Sequence, residues 1–75
     1  MSALTLYRSD PTRNMARFYF LDIQPDLFGH WSVVREWGRV GAEGRLRADS
    51  YPTPIEAEAA FERLRRSKVR RGYAP

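Results

Sequence analysis

The segment RFYFLDIQ at positions 17 to 24 alternates in a way that only an extended chain can use. Tyr19, Leu21 and Ile23 form an unbroken apolar row at period two, whereas Phe18 and Phe20 on the opposite row give way to Asp22. A strand with one wholly apolar row needs a cover on that face. A chain of 75 residues can build only one such layer, because a domain of this size buries only about 60% of the surface its unfolded chain exposes. The row of Tyr19, Leu21 and Ile23 is therefore expected to face the core, with Phe18 and Phe20 partly covered by other means.

The neighbouring segments supply the rest of a sheet. ALTLYR at 3 to 8 alternates Leu4 and Leu6 with other residues before the turn formers of SDPTRN, and reads as a short strand followed by a loop. PDLFGH breaks the pattern after position 24, and Gly29 supplies the turn residue of a hairpin into WSVVREWGRV at 31 to 40. GAEG at 41 to 44 is a second glycine-rich turn. It leads into RLRADSY at 45 to 51, whose polar alternation suits a sheet edge. The period then changes. Thr53 can cap a helix, Pro54 occupies the first position where its missing N–H costs nothing, and Glu56 completes a capping box. Ala57, Ala60, Phe61 and Leu64 lay one apolar stripe along that helix, which ends near Gly72. The expected architecture is α+β: one domain over residues 1–75, in which a small antiparallel sheet of three to four strands is covered by one C-terminal helix.

Charge is distributed unevenly. RLRRSKVRR at 63 to 71 holds six basic residues (Arg63, Arg65, Arg66, Lys68, Arg70 and Arg71) and no acid, so the net +4 of the chain resides at its C-terminal end. One or two cations complement a helix C-terminus and keep a small protein soluble. Six exceed that need and fit a polyanion partner, since binding clustered cations releases counterions from phosphates. The stretch REWGRVG at 35 to 41 adds a second cationic feature. If the strand persists to position 39, Arg35, Trp37 and Arg39 project from one surface, a flat ring between two guanidinium groups. Gly38 leaves the opposite face bare, open to the close approach of another backbone or of a sugar-phosphate. Tryptophan in a small domain is commonly core, and Trp31 shares the parity of Trp37, so Trp31 takes the core role here. Spacing alone leaves Trp37 open between core and ligand plate.

The order of these motifs resembles the WGR domain, known from the poly(ADP-ribose) polymerases and from short single-domain bacterial proteins. The resemblance rests on WGRVG at 37 to 41, on the aromatic strand and hairpin before it, and on the G...R turn, the A..AF..L helix and the closing KVRRGY after it. It runs from about residue 4 to residue 73. The resemblance implies that Trp37 lies against the sugar of a terminal nucleotide at a DNA break. It implies that Arg39 contacts DNA or a neighbouring domain, that Lys68 meets phosphate, and that Tyr73 is the aromatic closing the domain. Two departures are visible. Family members commonly place an asparagine just before the paired aromatics, where this chain has Ala16, with Asn14 four residues ahead of Phe18. The polymerases also use the domain as a relay between DNA-sensing and catalytic domains, so a chain of this kind would contact DNA directly or act through a separate protein.

Catalysis and cofactors are not expected. The one histidine, His30, sits in a turn with no nucleophile motif beside it, and there is no cysteine for a thiolate site. GAEGR lacks the Lys-Ser/Thr ending of a phosphate loop, and Glu56, Glu58 and Glu62 read as the solvated side of the helix, with Glu62 four residues before Arg66. No signal peptide or membrane span is expected, which suggests a cytoplasmic protein. The function expected is a non-enzymatic nucleic-acid-binding module for DNA ends or nicks, with no small-molecule substrate. Its contacts are assigned to Arg35, Trp37, Gly38, Arg39, Arg65, Arg66, Lys68, Arg70, Arg71 and Tyr73. The alternative is a protein–protein adaptor that uses the same aromatic and basic surface for an acidic partner.

Overall fold

The computed structural model of the chain describes residues 3–75. Four strands, β1 (Leu4–Asp10), β2 (Met15–Pro25), β3 (Trp31–Arg39) and β4 (Arg45–Tyr51), precede a single helix α1 (Pro54–Arg70). The strands pair in sequence order as an antiparallel meander, β1-β2-β3-β4. β1 and β2 run further than their alternation indicates, because a 3-10 turn at Pro11–Arg13 closes the first connection tightly. Asp10 accepts from the Thr12 backbone N–H at 3.1 Å, and Asn14 takes the left-handed conformation at φ 48°. Such a compact turn lets pairing continue to Asp10 opposite Met15.

The period-two row of β2 selects the covered face. Tyr19, Leu21 and Ile23 are buried there with Leu6 from β1 and Val33 from β3, and Ala57 and Ala60 of α1 close over them. Alanine at both contact positions lets the helix backbone approach the sheet, with Phe61 and Leu64 packing at the margin. The start of α1 is fixed by Thr53, whose hydroxyl oxygen accepts from the Glu56 N–H at 3.2 Å. The reciprocal contact runs from the Thr53 hydroxyl to the Glu56 carboxylate at 3.1 Å, so the box closes through side chains. The far end stops at Gly72, φ 95°, where the Tyr73 N–H reaches back to the Lys68 carbonyl at 3.0 Å. The chain then pairs with the outer edge of β1 through Tyr7 N–H to Ala74 O at 2.7 Å and Ala74 N–H to Tyr7 O at 2.9 Å. That tail covers part of one sheet edge.

The tryptophans correct an expectation. Trp31 does not fill the interior while Trp37 stands free; both are half-buried at opposite ends of β3, and both pack against the core. The domain is only one helix wide over the sheet, and neither end of a nine-residue strand is fully roofed. Phe18 and Phe20 lie on the face away from the helix and are half-buried, as their interrupted row suggests.

Candidate nucleic-acid interface

Strand register decides which side chains meet. Cross-strand partners share a face, so the pairs Leu21–Arg35 and Tyr19–Trp37 place Arg35 and Trp37 on the helix-covered side of the sheet. One step further, Arg17 stands opposite Arg39, and Trp37 stands opposite Arg45 on β4. α1 ends before it covers these positions. The result is an open groove of about 550 Å³ lined by Arg17, Trp37, Gly38, Arg39, Arg45, Lys68 and Tyr73.

Rings form one wall of this site. Tyr19 packs on Trp37 with centres 6.3 Å apart and on Tyr73 at 6.2 Å in an edge-on arrangement. Cations lie over those rings: Lys68 Nζ is 4.5 Å from the Tyr19 ring centre and 5.5 Å from that of Tyr73, and the Arg35 guanidinium is 5.5 Å from Trp37. Aromatic faces attract cations, and this attraction partly offsets the cost of gathering like charges. The offset is incomplete. Burial lowers the pKa of Lys68, and the nearby charges of Arg71, Arg35 and Arg17 lower it further. Among the described residues none of Arg17, Arg35, Arg39, Arg45 or Lys68 forms an ion pair with a carboxylate. Arg39 instead donates from Nη2 to the Asn14 carbonyl at 3.1 Å, which ties the end of β3 to the first turn. Two buried polar atoms in the same cluster, Tyr19 Oη and Arg35 Nε, have no hydrogen-bond partner among the described residues.

The basic run of the helix divides. Lys68 points into the groove, and Arg71, which ends the helix, acts on it electrostatically. Arg65 and Arg66 are held instead by Glu62, Arg65 through two hydrogen bonds and Arg66 at 3.3 Å. Arg63, Arg66 and Arg70 line a shallow depression on another side of α1. A run of cations cannot remain one patch at about 100° of turn per residue. Of the residues singled out in the sequence, the groove unites Trp37, Gly38, Arg39, Lys68 and Tyr73, with Arg35 against Trp37. Arg65, Arg66 and Arg70 stand apart.

Hydrogen bonding from Arg65 leads the effects that bring the Glu62 carboxyl from its ordinary 4.5 to about 2. Because the folded value is the lower one, the stabilisation is fully present above pH 4.5 and is lost as pH falls through about 2. Glu62→Gln is therefore expected to lower the melting temperature at pH 7. The difference from wild type should shrink steadily between pH 4.5 and 2 in parallel thermal melts.

Gly38 contributes mainly by what it lacks. A Cβ there would lie 3.1 Å from Gly44 Cα and 3.5 Å from the Glu43 carbonyl oxygen, so its bare face admits the backbone of the chain's own β3–β4 turn. Arg17 and Arg45 were not singled out by the sequence motifs. Arg17 becomes visible by extending the row of Tyr19, Leu21 and Ile23 back by one step. Arg45 needs the β3–β4 register, which no local pattern supplies.

A sequence model of the WGR domain matches residues 2–75. The chain belongs to the WGR domain family. WGR domains are in general nucleic-acid-binding modules, and here the motif Trp37-Gly38-Arg39 ends β3 inside the cationic groove. The chain is also similar to the uncharacterized protein y4dW of Sinorhizobium fredii (strain NBRC 101917 / NGR234). The two are 42% identical over 72 residues, which cover 96% of this chain and 35% of that protein. The chain thus spans about a third of the length of that relative. No solved structure matches it.

Proposed function

We propose that this WGR domain binds DNA at a strand end or nick, without catalysing a reaction, by laying the terminal nucleotide on Trp37 and its phosphates among the groove cations. The observation that carries the reading is a half-exposed indole set in a groove whose cations form no ion pair with an acid among the described residues. Like charges brought together without counter-charges raise the energy of the free protein, and a phosphate removes that cost on binding. Arg17, Arg39, Arg45 and Lys68 reach the groove space directly. Arg35 holds the inner side of Trp37, and Arg71 adds charge behind Lys68. Tyr73 fixes the floor by packing on Tyr19. Arg65, Arg66 and Arg70 would meet only a strand that wraps the helix.

The test is a titration of 5′-phosphorylated nicked, intact and single-stranded DNA against wild type and two variants. Nicked duplex is expected to bind more tightly than intact duplex. Trp37→Ala should lose about tenfold in affinity, at the low end of the ~1–3 kcal/mol of base–aromatic stacking, while Trp37→Phe keeps most of it. Thermal melts separate this loss from the packing of Trp37 on the core. Equal affinity for nicked and intact duplex, or an unaffected folded Trp37→Ala, would defeat the reading.

A protein-adaptor role has one observation in its favour, although on a different surface. Leu27 and Phe28, at the β2–β3 tip, are 98% and 86% exposed. Asp26 holds their backbone by accepting the Phe28 and His30 N–H groups at 2.8 and 2.9 Å. A rigid apolar tip of this kind suits a protein partner. Replacing Leu27 and Phe28 by serine should leave DNA affinity unchanged in the same titration, since the groove lies at the other end of the sheet.

A further inference from the structure

The groove does not exhaust the cations on this face. In β1, Leu4 and Leu6 pair with Leu21 and Tyr19 on the covered side, and the next residue of that row, Arg8, pairs with Arg17. Arg17 in turn pairs with Arg39. Three arginines, one from each of three adjacent strands, thus stand in a single transverse row beyond the end of the helix. Like charges directly opposite each other destabilise a sheet, so an arrangement with two such pairs in succession calls for an external counter-charge. A hydrophobic or acidic residue at position 17, the member common to both pairs, would have avoided the repulsion.

The surroundings of Arg8 support the same conclusion. The acid that acts on it is Asp10, two residues along the same strand. That carboxylate is already engaged, accepting from the Thr12 hydroxyl at 2.6 Å and the Thr12 N–H at 3.1 Å, with Arg13 at 3.7 Å. Among the described residues Arg8 makes no ion pair. Its side chain runs beside the glycine turn that ends α1, since a Cβ on Gly72 would lie 3.7 Å from Arg8 Nε. Gly72 leaves that flank uncovered. The row therefore continues past the groove, along the same side of the sheet, to the edge strand.

We propose that Arg8, Arg17 and Arg39 form a second phosphate-binding register, which follows the DNA strand as it leads away from the nucleotide stacked on Trp37. Adjacent strands lie about 4.8 Å apart, so the row spans roughly 10 Å. That distance matches the axial rise of about three nucleotides of one strand, at ~3.4 Å each. The proposal rests on the reading of the groove as a DNA-end site and adds a footprint to it. The contacted phosphates lie to one side of the break, and Arg8 meets the phosphate farthest from it.

Phosphate neutralisation tests this directly. Duplexes with a 5′-phosphorylated break would carry uncharged methylphosphonate linkages at single positions, one to four nucleotides from the break on either strand. For wild type, one position two or three nucleotides from the break should cost severalfold in affinity. In Arg8→Gln the same replacement should cost nothing, because its partner has already been removed. Arg8→Gln should also reduce the slope of log affinity against log salt by about one, and Arg8→Lys should restore both effects. Neutralising the linkage nearest the break should weaken wild type and Arg8→Gln alike. Additive losses at every position, or an Arg8→Lys variant as weak as Arg8→Gln, would overturn the second register while leaving the groove reading intact. Absence of any preference for the broken strand in wild type would instead remove the groove reading, and this footprint with it.

Discussion

Raising monovalent salt from about 50 to 200 mM is expected to weaken binding of nicked DNA by about 500-fold. The figure follows from the four groove cations Arg17, Arg39, Arg45 and Lys68, with Arg8 beyond them, each neutralising one phosphate, with about 0.9 counterion released per contact on a duplex. The slope of log affinity against log salt should then lie near −4.5, measured by fluorescence anisotropy at four or more salt concentrations. This response discriminates between surfaces. If the outer side of the helix were also engaged, Arg63, Arg66 and Arg70 would add about three further contacts and the slope would approach −7. Arg17→Gln combined with Lys68→Gln should reduce the slope by about two, whereas Arg66→Gln combined with Arg70→Gln should leave it unchanged. A slope shallower than about −2 in wild type would mean that phosphates contribute little, and the cation groove would lose its assigned role.

The same comparison shows why some of the site was legible in the sequence and some was not. The layers were readable because periodicity is local: Tyr19, Leu21 and Ile23 at period two, then Ala57, Ala60, Phe61 and Leu64 at helical spacing, each identify a buried row. The cap at Thr53 and the stop at Gly72 were readable for the same reason. Trp37, Arg35 and Arg39 could be placed on one surface because a strand fixes parity. What could not be read was the partner across each strand. Arg17 extends a visible row by one step, but Arg45 and Arg8 join the site only through register, and register depends on the turns between strands as well as on the apolar pattern within them. The basic run at 63 to 71 failed in the opposite sense. Its residues are adjacent in sequence, yet a helix spreads neighbours around its axis, and Glu62, just ahead of the run, takes up Arg65 and Arg66. Composition located the charge at the correct end of the chain without saying which cations share a space.

Gly44→Ala is expected to cost about 2–3 kcal/mol of stability, toward the upper end of the ~1–3 kcal/mol typical of overpacking. Its φ is ordinary, so the strain is steric and not conformational. An added Cβ would sit 2.8 Å from Phe18 Cζ, 2.9 Å from the Trp37 carbonyl oxygen and 3.0 Å from Glu36 Cγ. The Phe18 and Glu36 side chains can turn aside, but the Trp37 carbonyl belongs to the β3 backbone and moves only if the strand moves. At ~4–8 °C per kcal/mol for a domain of this size, the melting temperature should fall by roughly 10–20 °C. Gly41→Ala is the matched control. No atom lies within 4 Å of its Cβ, yet its φ of 88° disfavours any side chain, so its loss should be smaller, about 1 kcal/mol, and of conformational origin. The two variants should also part in function. Displacing the Trp37 backbone shifts the indole against Arg35 and Tyr19, so Gly44→Ala should lose DNA affinity even at temperatures where it is fully folded. Gly41→Ala, out in the turn, should bind as wild type does. If both variants melt alike and bind alike, the close approach of Gly38 and Gly44 is not what positions the tryptophan.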